Sequence, residues 1–250
     1  MAKLHAIMSQ VWIETRLRFA VAMAALCGLV TFTVLRAPVT LQVLRGSRPG
    51  VAFTFPQVMW FQLFHAYSEL FWTLSVVALT MGGLGRDAQN GATLFTLSLP
   101  LSRRDLLLGR IFATILMTTT LAFIPYLTIP MLAPVAQSTF PISQALLFGL
   151  CLALGGMFIY GVTFLLACTI KSEIGSFSIA LGAFLALYFL GKVPGLKSFD
   201  VFDIMSAKAA VSGETFLMTG TLPWTRLFAC AASGVLTVLI AIRWTERKDF

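Results

Sequence analysis

Six apolar runs, most of them long enough to cross a lipid bilayer, separate the few charged residues of this chain. A bilayer core of ~30 Å needs about 20 consecutive apolar residues in a helix. The runs cover residues 19–35, 58–84, 111–131, 145–170, 175–190 and 225–244, the fifth being short for the purpose. Only 11% of the 250 residues are charged, and mean hydropathy is +0.88; a soluble domain is ~25% charged. Lipid offers the backbone no hydrogen bonds, which leaves helices or a closed barrel. The apolar residues do not alternate with polar ones at period two, which argues against a barrel. The expectation is an all-α integral membrane protein of about six transmembrane helices, forming a single transmembrane domain over residues 1–250.

Residues 1–18 do not read as a signal peptide, because Glu14, Arg16 and Arg18 interrupt the apolar core such a signal needs. Leu4, Ile7, Met8, Val11, Trp12 and Thr15 recur at helical spacing. They predict an amphipathic helix in the membrane interface, with Trp12 at headgroup level. The net charge of +8 raises nucleic acid as a partner. The basic residues instead flank apolar runs, as residues do that fix topology and meet anionic headgroups. Membrane lipid is therefore an expected partner and nucleic acid is not. Six spans put both termini on one side. Eleven of the 18 Lys and Arg residues fall on that side and seven on the other, which places both termini and residues 85–110 in the cytoplasm. Residues 36–57 and 191–222 are then extracytoplasmic. The first reads as a polar loop. The second is mildly amphipathic, with room for short helices that dip into the outer leaflet; a lid and an ordinary connection fit it equally.

The chain carries little that could do chemistry. Cys27, Cys151, Cys168 and Cys230 lie inside predicted spans and form no CxxC, so they read as small buried hydrophobes. No HExxH, GxSxG or GxxxxGK[ST] occurs. The glycine-rich stretch at 82–91 lacks the lysine that would reach terminal phosphates, so any ATP dependence requires another subunit. Glu69 is the acid that falls well inside a span, where an ionisable group is expensive. His65 lies one helical turn before it, and Tyr67 and Ser68 add polarity. His65, Tyr67 and Glu69 are candidates for a translocation path or proton relay; a structural His–Glu pair that locks helix packing is the competing reading. Pro125 and Pro130 predict a kink in the third span. Small residues every four positions, Ala20, Ala24 and Gly28 in the first span and Ala229, Ser233, Thr237 and Ala241 in the sixth, mark close helix contacts. Those contacts fit within one subunit or between two.

The most structured polar segment lies between the second and third spans, reading GRDAQNGATLFTLSLPLSRRDLLLGR over residues 85–110. Residues 86–97 predict a short helix with Leu94 and Leu97 on one face and Arg86, Asp87 and Asn90 on another. Pro100 ends it, and Ser102 with Asp105 forms a short-armed capping box for the next helix. Such a segment can dock a soluble partner, or can be a solvated loop with positive-inside arginines. The string Asp87-x-x-x-Gly91, Leu97-Ser98-Leu99-Pro100-Leu101-Ser102-Arg103 and Leu107-Leu108-Gly109-Arg110 resembles the signature of ABC-2 type transporter permeases. The tail Trp244-Thr245-Glu246-Arg247-Lys248-Asp249-Phe250 is similar to that family's basic ending, and Glu14-Thr15-Arg16 to its elbow helix. Two positions depart from the pattern: Asp87 stands where Glu is commoner, and Ala92 separates Gly91 from Thr93.

The resemblance implies a non-enzymatic permease subunit of an ATP-driven exporter in a bacterial inner membrane. A second permease copy and two cytoplasmic ABC ATPase subunits, which would bind ATP and Mg, complete the assembly. It makes residues 86–97 the coupling helix, with Arg86, Asp87, Asn90, Gly91, Leu94, Arg103 and Arg104 docking the ATPase. Trp12, Glu14 and Arg16 fall on its elbow helix, and spans two and five would line the path. The cargo would be hydrophobic or amphipathic: a lipid, peptide or drug. A non-transporting subunit that couples ATPase motion to periplasmic proteins shares these features. An intramembrane enzyme is a third reading, resting on His65 and Glu69.

Overall fold

In the computed structural model, residues 2–47, 53–81, 103–170, 172–193, 200–213, 215–218 and 222–247 are described, the side chains of 2–7 and 103 excepted. The described chain is all-α apart from a single bridge between Val211 and Met218. Five helices are long and apolar enough to cross a membrane, which makes this a multi-pass membrane protein.

Helix α1 runs unbroken from Ala2–Ser47. At 1.5 Å per residue its 46 residues extend about 69 Å, more than twice a bilayer core. Val11, Thr15, Ala22, Leu26, Val30, Val34, Ala37 and Leu41 are buried, a stripe at spacings of three, four and once seven residues, with half-buried Arg18 and Phe19 in the wider gap. That stripe packs α1 against its neighbours, and the helix differs from the sequence expectation at two points. No break separates an interfacial elbow from the first span. Nor is 36–47 a loop: the helix passes through Pro38, whose missing N–H is tolerated where neighbouring helices support the rod. Arg45 then donates to the Phe53 carbonyl at 3.2 Å and ties the helix end to the next segment.

The second predicted span is a helical path in three parts. Helix α2, Phe55–Val58, opens with a capping box between Thr54 and Gln57, both bonds 3.4 Å. A π-helical segment, Met59–Tyr67, follows, and α3 covers Ser68–Thr80. The Ser68 N–H reaches back five residues to the Leu63 carbonyl, the wider spacing that defines a π turn. Helix α4 is Arg103–Leu132 and continues through Pro125 and Pro130; the Thr128 hydroxyl satisfies the Pro125 carbonyl at 2.6 Å. Helix α5 is Ile142–Thr169, α6 is Glu173–Leu190 and α8 is Trp224–Arg247, each within a few residues of its predicted run. Residues 191–222 hold the short helix α7, Val201–Met205, and a 3-10 turn, Lys208–Ala210.

Helix α5 is the hub, packed against α8, α4, α3 and α7. Its glycines make this possible. A Cβ on Gly156 would strike the Trp72 indole, and one on Gly161 would fall 2.5 Å from the Gly234 carbonyl of α8. Phe64, Tyr126 and Phe148 interlock at the core, with centroids 4.0 Å apart for Phe64–Phe148 and 4.8 Å for Tyr126–Phe148. The two small-residue stripes part ways. On α8, Thr237 packs against Gly161 and Ala241 is buried. On α1, Ala20, Ala24 and Gly28 face outward, and a Cβ on Gly28 would meet nothing within 4 Å.

Candidate functional site

The predicted docking residues Arg86, Asp87, Asn90, Gly91 and Leu94 lie outside the described residues, as does the cap at Ser102. Arg103 opens α4, and Arg104 is exposed one residue on. Arg18 of α1 donates to the Ala78 carbonyl near the end of α3 at 3.0 Å and forms an ion pair with Glu173 at the start of α6. Glu14, one turn earlier, pairs at 3.4 Å with Arg110, which is buried in the first turns of α4. Thr15 lies between them, its hydroxyl 3.4 Å from the Met117 sulfur. One helix therefore grips both the chain entering residues 82–102 and the chain leaving them.

Of the predicted elbow residues, Glu14 joins this clasp. Trp12 is exposed and leans on Phe19 at 5.7 Å, and Arg16 is exposed on the same outer side. Arg18 and Glu173 were missed by sequence reasoning. Their signal was opposite charge beside two apolar runs whose ends share a predicted side.

A second polar centre lies within the bundle. Ser68, Glu69 and Thr73 are buried on one face of α3. His65 Nδ1 stands 3.9 Å from Glu69 Oε1, beyond hydrogen-bond reach, and the His65 ring lies flat on Trp60 at 5.0 Å. The structure thus brings His65 and Glu69 together, while Tyr67 is half exposed on the other side. Four buried polar atoms here have no hydrogen-bond partner, Trp60 Nε1, His65 Nδ1, Glu69 Oε1 and Thr73 Oγ1, while the Ser68 and Tyr126 hydroxyls have each other. Buried polar groups are normally satisfied, so their concentration in one place marks a site built to receive something polar, water included.

The short helix α7 and the turn after it pack onto this centre. Asp200 caps α7 by accepting from the Phe202 and Asp203 amides at 3.0 and 3.3 Å. Val201, Phe202, Ile204 and Met205 are all buried, and Met205 sits against Gly155 of α5. This packing delivers Ser206 to the side of Glu69, with Asp200, Asp203 and Lys192 nearby. Asp200 pairs with Lys192 at 3.6 Å, and Asp203 with Lys208 at 3.1 Å. Sequence reasoning placed short helices in this segment but not their descent onto Glu69.

Among the described residues no group of three or more His, Cys, Asp or Glu side chains is placed to hold a metal ion. All four cysteines are free thiols, Cys151 and Cys230 buried. Comparison with protein-family models and with curated proteins finds no match for this chain.

Proposed function

We propose that this chain is the membrane-spanning permease subunit of an ATP-driven exporter, coupling hydrolysis by separate cytoplasmic ATPase subunits to export of a hydrophobic or amphipathic substrate. The Phe55–Thr80 path counts as a sixth crossing, both termini lie in the cytoplasm of a bacterial inner membrane, and two permease copies work together. ATP and Mg belong to the ATPase; this chain contributes docking and the path.

The observation that carries the reading is the clasp. Residues 85–110 hold the Leu-Pro-Leu-Ser-Arg string, and α1 grips the chain before and after that string through Arg18–Ala78 and Glu14–Arg110. A segment so bracketed passes a push from a soluble partner to α1, α3 and α4 together, where a slack loop would absorb it. Coupling needs such an element with two arrangements that the partner can bias.

The test is copurification from native membrane with mass spectrometry and an ATPase assay. The expected result is a stoichiometric P-loop ATPase that dissociates when Asp87 is replaced by Lys. A chain that purifies without an ATPase overturns the reading.

A further inference from the structure

We propose that the Glu69 centre binds an organic ammonium group, so that the cargo of this exporter is an amphiphile with a cationic head. The assignment rests on the exporter reading only in calling the ligand cargo. Its first support is charge. Around the centre stand the acids Glu69, Asp200 and Asp203 and the amines Lys192 and Lys208. Asp200 and Asp203 each hold a lysine of their own, at 3.6 and 3.1 Å. Glu69 is left over. His65 is its nearest basic neighbour, but at 3.9 Å makes no hydrogen bond to it. A buried carboxyl without a cation takes up a proton, and an entering cation draws out its charged form.

The second support is the surrounding chemistry. An ammonium group offers donors, and Glu69 Oε1 with the Thr73 hydroxyl offers acceptors without a partner. Beside them Trp60, Phe61 and Phe216 form an aromatic wall, with centroids 5.0 to 6.1 Å apart, and His65 stacks on Trp60. Aromatic faces attract organic cations, whereas a hard inorganic cation seeks a shell of oxygens. The third support is access. The His65 side chain is 28% exposed and lies one turn from buried Glu69 on one side and from the outward-facing Phe61 on the other. An apolar tail can lie on that outer face while the head passes His65.

The probe is radiolabelled octylammonium, bound at equilibrium to the full chain in nanodiscs of zwitterionic lipid. The expected result is saturable binding that Glu69→Gln weakens by about tenfold or more, the worth of one charge-assisted contact. In the unmodified chain, octanol and octyl sulfate, which share the tail but lack the positive head, are expected not to displace the probe. Absence of saturable binding overturns the proposal, as does unchanged affinity in Glu69→Gln. Displacement by octanol or octyl sulfate as good as by octylammonium overturns it too, as does displacement by an equal concentration of sodium chloride. Binding needs no ATPase, so failure here leaves the copurification result standing, and the reverse holds.

Discussion

Arg110 is 6% exposed, its guanidinium meets Glu14 at 3.4 Å, and its Nε has no partner. A buried cation held by one carboxylate makes the two partners unequal. Removing Glu14 leaves the charge stranded, which costs about 3–5 kcal/mol in a fully buried pair; the Glu14 side chain is 31% exposed, so water reduces that cost. Replacing Arg110 by an apolar side chain of similar length removes the problem along with the charge. Glu14→Ala is therefore expected to lower the unfolding temperature of the purified chain, and Arg110→Met to lower it less. The double variant should regain most of what Glu14→Ala loses. Thermal unfolding in one detergent checks this, and a double variant no more stable than Glu14→Ala would sink the pairing.

Glycines decide how closely the elements approach. On Gly234 of α8 a Cβ would sit 2.5 Å from the Met157 carbonyl carbon and 3.0 Å from the Phe158 nitrogen of α5, both backbone atoms that cannot step aside. Gly234→Ala is expected to separate α5 from α8 and destabilise the chain by about 1–3 kcal/mol, the usual cost of overpacking. Gly28→Ala on the open face of α1 should leave unfolding of the lone chain unchanged. Equal effects at the two positions would contradict the packing described. The sequence showed a four-residue spacing of small side chains at both places, and spacing alone does not say which face is covered. Other elements were legible for local reasons. The apolar runs behind α4, α5, α6 and α8 end in charge, proline or glycine, and His65 and Glu69 are one turn apart. The unbroken α1 was not legible, because Arg16, Arg18 and Arg36 look like span ends. A helix stops only where its backbone bonds fail, not where a charge appears. The π segment Met59–Tyr67 was hidden too, since its residues suit an α-helix equally.

At the scale of the whole molecule, Arg18 joins three elements that the sequence keeps far apart. It reaches Ala78 of α3 and Glu173 of α6, 155 residues away. The two contacts can be separated by charge exchange. Arg18→Glu and Glu173→Arg each put like charges together at the start of α6, and each should lower the unfolding temperature. Combining them restores an ion pair between α1 and α6 with its polarity reversed, and stability should return with it. A glutamate at position 18 still has no N–H to offer the Ala78 carbonyl, so the tie from α1 to the end of α3 remains broken. If α1 carries the motion of residues 82–102, the ATPase rate of the copurified assembly must fall in Arg18→Glu and recover only in part in the double variant. Full recovery of the rate would assign coupling to the α1–α6 pair alone and remove Ala78 from the path. A double variant as unstable as either single change would mean that the Arg18–Glu173 pair does not hold these helices together.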